Sequence, residues 1–428
     1  MGRTSNKVEK LWADIEKAGS INRYVRQELD NKGFLVKRVN TDNLSVRELK
    51  QYKAALKKES AEKRALNKAA WEAYKAHHIV HLGDGIYWTD DTSTDQWDLD
   101  NATKRLLENQ LPQITRVKAL AEALGLTISQ LRWLCYHREV ATQSHYTRFE
   151  IPKRSGGVRT IWAPRPKLKK VQRWILNNIL DSLLVHGSAH GFLAGRSIAT
   201  NAIEHTDSQV LIKMDIENFF PTISWKRVKG VFRKAGYSEQ IATLLALLCT
   251  ESPREVINKD GQDLYIALAD RCLPQGAPTS PAITNALCLS LDRRMTSMAN
   301  KAGLRYTRYA DDLTFSYAAK KKKAPEISQL IGGVKRILGD EGFKVNTKKT
   351  HVIRQGSTQE VTGLIVNGKG MPRVSRKLKR QMRAAIYNLK QGRELPEGES
   401  IQRLRGYAAY IAMTDRALGL GMLEALSD

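Results

Sequence analysis

The spacing of hydrophobic residues predicts a helical beginning to the chain. Between residues 8 and 15, Val, Leu, Trp and Ile recur at helical spacing. A longer helix is predicted from about 44 to 78, where a sparse apolar stripe runs among many Lys, Arg and Ala residues. The glycines within 79–88 predict a short hairpin. Residues 1–88 are therefore expected to form a helical, basic N-terminal extension.

The middle of the chain has the alternating pattern of β-strands. An apolar run ends at Asp215 and is followed by an aromatic pair. Aromatic and β-branched residues at 306–316 flank a tight turn that carries Asp311 and Asp312, which predicts a hairpin. Another hairpin is predicted at 151–164, where two short strands flank a Ser-Gly-Gly turn. After residue 375 the helical pattern returns, so the fold class is α+β.

The charge of the chain favours a polyanionic partner. Its 428 residues include 70 Lys and Arg against 44 Asp and Glu, a formal net charge of +26. That much self-repulsion is easier to sustain in contact with nucleic acid. A membrane partner is not expected, because the longest apolar run, at 241–249, is too short to span a bilayer.

The four cysteines indicate a reducing compartment. They are scattered along the sequence without a C-x-x-C pair. This pattern predicts reduced, mostly buried residues in a cytoplasmic protein, and it excludes a cysteine-based zinc site.

Three carboxylates are the candidate chemistry. Strands that bring Asp215 beside Asp311 and Asp312 would form a hard-oxygen site for two Mg²⁺ ions, with Mn²⁺ as a substitute. Polymerases use such a site for phosphoryl transfer. Taken alone, an Asp-Asp pair is more often a solvated acidic turn.

The motifs around these carboxylates resemble the palm of a reverse transcriptase. They are D-I-E-N-F-F at 215–220, L-P-Q-G-A-P-T-S-P at 273–281 and Y-A-D-D at 309–312. N-A-x-x-H, at 201–205, and V-T-G, at 361–363, resemble the retron branch of that family. The resemblance covers about residues 110–428.

The resemblance implies a right-hand polymerase fold with fingers, a palm built on an antiparallel sheet, and a helical thumb. The expected divisions are the N-terminal extension at 1–88, a polar linker at 89–104, fingers at 105–210, palm at 211–368 and thumb at 369–428.

The resemblance also assigns roles around the nucleotide. Asp215, Asp311 and Asp312 are the expected catalytic metal ligands, and Lys349 is the expected general acid for the leaving pyrophosphate. Arg and Lys in the 151–164 hairpin would bind the triphosphate. Residues expected to contact the nucleotide are Lys153, Arg159, Phe220 (as a gate against ribose), Gln275 and Gly276.

A further group is expected to contact RNA or the primer. Asn201 and His205 would share one helix face, and the basic face of the last helices would grip the duplex. The set comprises Arg196, Asn201, His205, Val361, Thr362, Gly363, Arg376, Arg380 and Arg383.

Retron membership implies a specific product. The enzyme would copy a cognate structured non-coding RNA with dNTPs, starting from a guanosine 2′-hydroxyl, and yield branched multicopy single-stranded DNA (msDNA). The family further implies antiphage defence with a separate effector protein. The short segment after the V-T-G motif implies that a host RNase H removes the RNA strand.

Three alternatives remain open. A non-retron bacterial reverse transcriptase would use a protein or 3′-hydroxyl primer, and an RNA-dependent RNA polymerase would accept ribonucleotides. A nucleic-acid-binding module would use the helix-turn-helix-like segment at 115–139, with Thr127, Ser129, Gln130 and Arg132 in a major groove. The core-type residues of its second helix instead favour a structural helix pair.

Overall fold

Three helices form the N-terminal part of the chain in the computed structural model, which describes residues 2–86, 101–152, 156–318, 326–396 and 398–427. They are α1 (Gly2–Ala18), α2 (Ile21–Asn31) and α3 (Val46–His77). A capping box between Ser45 and Glu48 starts α3. The helices share an apolar cluster that includes Ile15, Val25 and Leu29. The N-terminal part of the chain is therefore helical, as the sequence predicts.

The hairpin predicted at 79–88 is wrong for the described residues of that segment. Residues 79–86 form no strand pair with one another. Gly83 instead makes a parallel bridge to His137, which lies more than fifty residues later. A Cβ atom at Gly83 would lie 2.0 Å from the His137 carbonyl oxygen, so the glycine serves a close backbone approach.

Helices and a two-stranded hairpin follow. The elements are α4 (Ala102–Glu108), α5 (Val117–Ala123), α6 (Ile128–Cys135), β1 (Val140–Ala141), β2 (Tyr146–Pro152), β3 (Val158–Pro164), α7 (Pro166–Asn178) and α8 (Ile198–Ile203). β2 and β3 pair antiparallel, as the sequence predicts. Most of the predicted linker at 89–104 lies outside the described residues, and its last residues already belong to α4.

The helix-turn-helix-like segment is used inside the fold. Thr127 and Gln130 form the capping box of α6, and the Arg132 Nε donates a hydrogen bond to the His81 carbonyl at 2.9 Å. Leu131 and Leu134 are buried. Three of the four residues proposed to read DNA thus make hydrogen bonds within the protein. The second helix is also anchored by buried leucines, which supports the structural interpretation.

An antiparallel four-stranded sheet carries the central part. The elements are β4 (Ser208–Asp215), α9 (Trp225–Ala235), α10 (Glu239–Cys249), β5 (Arg254–Lys259), β6 (Gln262–Ala267), α11 (Ser280–Leu287), α12 (Leu289–Lys301), β7 (Arg305–Tyr309), β8 (Asp312–Ala318), α13 (Ile327–Asp340) and β9 (His351–Arg354). The strand order is β7-β8-β4-β9, and β1, β6 and β5 form a smaller sheet. The largest apolar cluster joins the sheet to α7, α9 and α10.

Short strands and three helices end the chain. They are β10 (Glu360–Val361), β11 (Leu364–Ile365), α14 (Arg376–Lys390), α15 (Ile401–Ala412) and α16 (Arg416–Glu424). A separate apolar cluster unites these elements with α8 and β4. The α+β prediction is confirmed, whereas the predicted domain boundaries stay predictions. No helix in the described ranges is long and apolar enough to cross a membrane.

Candidate active site

The sheet brings the three predicted carboxylates to one end of neighbouring strands. Asp215 is the last residue of β4 and pairs directly with Asp312, the first residue of β8. The Ile216 N–H donates to the Asp311 carbonyl at 3.0 Å, which ties the turn to β4. Ala310 has a φ of 56°, a left-handed conformation that lets β7 and β8 reverse in a tight turn. The hairpin therefore presents Asp311 and Asp312 beside Asp215.

These carboxylates lie close together in a largely buried site, where their negative charges repel one another. Burial raises the pKa of Asp311, and the charge of Asp215 raises it further. Burial also raises the pKa of Asp312 to about 6, with the charge of Asp311 acting in the same direction. Excess negative charge of this kind favours a bound cation.

Two side chains hold Asp215 from the loop before β9. The Lys349 ammonium lies 2.8 Å from Asp215 Oδ2, and Asn346 Nδ2 donates to Oδ1 at 3.1 Å. The Asn346 backbone N–H also donates to the Asp215 carbonyl at 2.8 Å. The structure thus places Lys349 at the carboxylates, and its expected role towards the pyrophosphate stays a prediction. Sequence reasoning missed Asn346, although it is the first residue of the N-x-x-K-T motif at 346–350 whose lysine is Lys349.

The donor set fits divalent metal ions. All three side chains end in hard oxygen atoms, which Mg²⁺ prefers. Burial first, and then the neighbouring carboxylates, raise the pKa values of Asp311 and Asp312. Among the described residues, no three carboxylate, imidazole or thiol groups are already gathered closely enough to enclose an ion.

A buried ion pair supports the Y-A-D-D turn from below. Arg308 makes a bidentate contact with Asp292, its Nε 2.9 Å from Oδ1 and its Nη2 2.7 Å from Oδ2, and neither side chain is exposed. Arg308 Nη1 also donates to the Ala310 carbonyl at 3.2 Å and to Asn285 Oδ1 at 3.1 Å. The Tyr306 hydroxyl donates to Asp292 at 2.8 Å. Sequence reasoning missed this network because its members are dispersed along the chain.

The β2–β3 hairpin faces the carboxylates. Arg159 is exposed on β3, and its positive charge lowers the pKa of Asp311 against the stronger effects of burial and Asp215. Arg159 therefore lies within electrostatic reach of the site. Lys153 lies outside the described residues.

The loop with Gln275 and Gly276 is pinned to the same hairpin. The Trp162 N–H donates to the Gln275 carbonyl at 2.7 Å. A Cβ atom at Gly276 would lie 2.8 Å from the Trp162 carbonyl oxygen, and Gly276 has a φ of 122°. Glycine is therefore required here by both space and backbone conformation. The Gln275 side chain is half-buried.

The aromatic pair after Asp215 divides into a core residue and a surface residue. Phe219 is 2% exposed and its ring centroid lies 5.4 Å from that of Phe343. Phe220 is only partly buried against the same cluster. Of the two rings, Phe220 is thus the one that retains solvent-accessible surface, and its role as a gate stays a prediction.

Comparison with known proteins decides the family. A family model for reverse transcriptase (RNA-dependent DNA polymerase) matches residues 151–367. The chain is 47% identical to the Retron Mx162 reverse transcriptase of Myxococcus xanthus over 424 residues, which cover 97% of this chain and 87% of that one. The chain belongs to the retron reverse transcriptases. This retron reverse transcriptase is accordingly an RNA-directed DNA polymerase with the right-hand polymerase fold.

Further relatives support the same membership. The Retron Mx65 reverse transcriptase of Myxococcus xanthus is 38% identical over 304 residues, 71% of this chain and 69% of that one. The Retron Ec86 reverse transcriptase of Escherichia coli is 31% identical over 313 residues, 73% of this chain and 89% of that one. The sequence resemblance to retron enzymes is thereby confirmed.

The Asn and His side chains of the N-A-x-x-H signature are buried inside this retron reverse transcriptase. His205 is fully buried and lies after the end of α8, not on it. Its Nδ1 and Nε2 are each 2.7 Å from the hydroxyls of Ser316 and Thr307, on β8 and β7. Asn201 is 1% exposed. The prediction that these two side chains share an RNA-facing surface is wrong in this structure, because His205 locks α8 onto the back of the catalytic hairpin.

The V-T-G signature packs against the first one. Thr362 Oγ1 donates to the Ile198 carbonyl in α8 at 3.1 Å, and the Tyr410 hydroxyl donates to the Gly363 carbonyl at 2.9 Å. Val361 is fully buried, so its predicted contact with RNA or primer is wrong in this structure. Gly363 remains exposed and Thr362 half-buried. The two signatures thus form one joint between palm strands and C-terminal helices.

The basic residues predicted to contact nucleic acid remain at the surface. Arg196 is exposed, with Nη1 2.6 Å from the Gly187 carbonyl. A cavity of about 840 Å³ lies between the 355–358 loop and the start of α14. Its basic lining comprises Arg373, Arg376, Lys379, Arg380 and Arg383. The predicted thumb arginines therefore share one concave, positively charged surface.

Burial of His205 has a consequence for pH dependence. Burial lowers the pKa of His205 to about 3, so the folded protein keeps it neutral while an unfolded chain protonates it near pH 6.5. Stability should be fully present above pH 6.5 and fall as the pH drops below that value, by up to about 1.4 kcal/mol per pH unit from this residue. Thermal unfolding between pH 7.5 and 5 should show this slope. His205→Asn should flatten it, whereas His351→Asn, an exposed control on β9, should not.

Proposed function

We propose that this retron reverse transcriptase extends a guanosine 2′-hydroxyl within its own structured non-coding RNA and produces branched msDNA that serves antiphage defence with a separate effector protein. The observation that supports DNA synthesis at this site is the convergence of Asp215, Asp311 and Asp312 at one strand end, faced by Arg159. A host RNase H would remove the copied RNA. The 47% identity to a retron enzyme supports the retron-specific steps.

The chain's own residues account for most of the proposed chemistry. Two Mg²⁺ ions held by Asp215, Asp311 and Asp312 would activate the hydroxyl and neutralise phosphate charge. Arg159, together with Lys153, would bind the triphosphate of the incoming dNTP, since guanidinium groups form forked contacts with phosphate. Glycine at 276 lets its loop lie against β3, which would hold Gln275 beside the hairpin that binds the triphosphate.

Lys349 is proposed as the proton donor for the leaving pyrophosphate. Its hydrogen bond to Asp215 raises its pKa, so the ammonium stays protonated while it is bound to that carboxylate. To act as a general acid, Lys349 would have to leave Asp215 for the phosphates, where loss of this hydrogen bond makes the proton easier to give up. Lys349→Met should lower the rate of single-nucleotide addition about 100-fold, within the usual range for general acids. Lys348→Met, an exposed neighbour in the same short turn, is the matched control. Equal rates for both variants in rapid-quench assays would contradict the role.

Phe220 is proposed as the gate that excludes ribonucleotides. Its partly exposed ring follows the catalytic strand, where it would collide with a 2′-hydroxyl. Phe220→Ala should reduce the preference for dNTPs over rNTPs about 100-fold, measured as the ratio of the two kcat/KM values, since a steric gate of this kind acts on discrimination. Phe219→Ala should chiefly lower Tm, because that ring is buried. Unchanged discrimination in Phe220→Ala would remove the gate from the proposal.

RNA would lie along the basic cavity at the start of α14. Five basic side chains there can neutralise several phosphates. The joint between α8 and the V-T-G segment would set the position of the C-terminal helices relative to the catalytic hairpin. Asn201 and His205 thereby act on the primer through structure, not by contact.

The test of this function is the nucleic acid that accompanies the protein. The protein, purified from cells with its native operon, is analysed with RNase, DNase and debranching enzyme in separate reactions. We expect single-stranded DNA whose RNA remnant is released only by debranching, and none from Asp311→Asn. Linear DNA would contradict priming from a 2′-hydroxyl and would indicate a protein or 3′-hydroxyl primer, as in non-retron reverse transcriptases. RNA without DNA would favour a binding module.

A further inference from the structure

A column of stacked aromatic rings ends at the protein surface on α3. Trp71 and Tyr74 stack with ring centroids 5.4 Å apart and planes 3° from parallel. Tyr74 and His78 continue the stack at 4.1 Å and 7°. Trp12 closes the buried side, its ring 5.7 Å from that of Tyr74. Trp71 is 43% exposed, so the ring at the end of the column is accessible from solvent.

The exposed ring lies beside a basic stripe. At about 100° per residue, six of the nine lysines and arginines of α3 lie within roughly 60° of Trp71 around the helix axis. They are Lys50, Lys53, Lys57, Arg64, Lys68 and Lys75, and all six are exposed. The buried residues of α3, which are Glu59, Ala70 and Ala73, lie at least about 100° from Trp71 around the axis. The basic stripe therefore points away from the protein.

Three of the four acidic residues of α3 are engaged away from this stripe, and the fourth, Glu72, forms no salt bridge with it among the described residues. Glu59 pairs with Arg38 at 2.8 Å and Glu62 with Lys32 at 3.0 Å, both in the preceding segment. Glu48 is used in the N-terminal capping box. In the described part of the chain, no salt bridge involves a lysine or arginine of the stripe. The positive charge is available to an outside polyanion.

A flat aromatic face within a line of unpaired cations matches single-stranded nucleic acid. Bases stack on exposed aromatic rings when they are unpaired, and neighbouring lysines and arginines contact the phosphates. An acidic protein surface would use the charges but leave Trp71 without a partner, and a duplex would keep its bases inaccessible. The combination selects an unpaired strand.

We infer that α3 binds an unpaired segment of RNA, with one base stacked on Trp71 and the flanking phosphates on the basic stripe. The inference rests on the proposed function for the source of the strand, namely the part of the cognate RNA outside the polymerase site. It assigns the N-terminal helices an RNA-anchoring role separate from catalysis.

The test uses the full-length protein, freed of nucleic acid, with its polymerase site first saturated by a short RNA–DNA primer–template. An unstructured 20-nucleotide RNA containing 4-thiouridine is then titrated and cross-linked. Trp71→Ala should weaken binding about tenfold, and Trp71→Phe should restore most of the affinity because it keeps a stacking face. Cross-links should map to the peptide that carries Trp71.

Charge-reversal variants distinguish phosphate binding by the stripe from the attraction exerted by the net positive charge of the whole protein. Lys53→Glu/Lys57→Glu/Lys68→Glu should reduce the slope of log Kd against log salt by about 2, at roughly 0.7 per phosphate contact. Lys234→Glu/Lys259→Glu/Lys301→Glu has the same net charge, and its residues are exposed elsewhere. That control should keep the wild-type slope. Equal losses in both triple variants would overturn the assignment.

Other outcomes are equally decisive. Wild-type affinity in Trp71→Ala, equal binding of duplex RNA, or preference for single-stranded DNA of the same sequence would each overturn the inference. The assay needs no DNA synthesis. RNA binding at α3 by a protein that makes no msDNA would therefore contradict the proposed function alone, and msDNA synthesis with unaltered binding in Trp71→Ala would contradict this inference alone.

Discussion

Asp311→Asn is expected to reduce RNA-templated DNA synthesis by a factor on the order of 10³ or more, because it removes a charged oxygen where phosphoryl-transfer charge must be balanced. The same change should raise Tm in the absence of divalent metal. Burial and Asp215 both raise the pKa of Asp311, so the ionised carboxylate costs stability at neutral pH and its removal relieves repulsion.

Primer extension and thermal unfolding, with and without Mg²⁺, check both parts of this prediction. The wild-type protein should gain Tm on addition of Mg²⁺, and the variant should gain much less. Asp270→Asn, an exposed carboxylate away from the sheet end, is the control and should behave as wild type. An inactive variant with a lower metal-free Tm would indicate that Asp311 is needed for folding, in conflict with the repulsion described above.

Loss of the buried Asp292–Arg308 pair is the second large effect. Asp292→Ala should cost about 3–5 kcal/mol of unfolding free energy, because Arg308 remains as an uncompensated buried charge. DNA synthesis should fall as well, since Arg308 also donates to the Ala310 carbonyl within the catalytic turn. Denaturant unfolding and primer extension at a temperature where the variant is folded provide the two readouts.

Two comparisons isolate the role of the turn. Arg294→Met on the same helix as Asp292 breaks solvent-exposed pairs with Asp340 and Glu341 and should cost less than about 1 kcal/mol. The double variant Asp292→Leu/Arg308→Met should recover much of the lost stability, because no buried charge is left unpaired. It should not recover activity. Full activity in the double variant would show that Arg308 does not position the turn.

The strands that end at the candidate catalytic residues could be predicted because they depend on patterns of neighbouring residues in the sequence. The apolar run before Asp215 and the aromatic and β-branched residues around Asp311 indicate strands, and the short turn at Asp311 pairs the two strands on either side of it. The resemblance to reverse transcriptases then indicated that the strand ending at Asp215 lies beside the hairpin that carries Asp311 and Asp312. Lys349 followed from its spacing in the N-x-x-K-T motif, and it does contact Asp215.

The remaining features depend on contacts between distant segments. His205 fits the helix-face pattern of a surface residue as well as that of a core residue, and only the hydroxyls of Thr307 and Ser316 decide between them. Gly83 resembles a hairpin turn locally, but it bridges to His137. The Asp292–Arg308 pair joins a helix to a strand with no shared motif. A pattern of neighbouring residues gives no information about such contacts between distant segments.

The most direct test of the account is the location of metal ions in the catalytic site. Crystals of the protein with an RNA–DNA primer–template, a non-hydrolysable dNTP and Mn²⁺ would show the ions by anomalous scattering. We predict two ions about 3.5–4 Å apart, the spacing of two-metal sites, held by Asp215, Asp311 and Asp312 with the Lys349 ammonium turned from Asp215 towards the phosphates. Ions absent from these carboxylates, or a Lys349 still bound to Asp215, would contradict the proposed catalytic site.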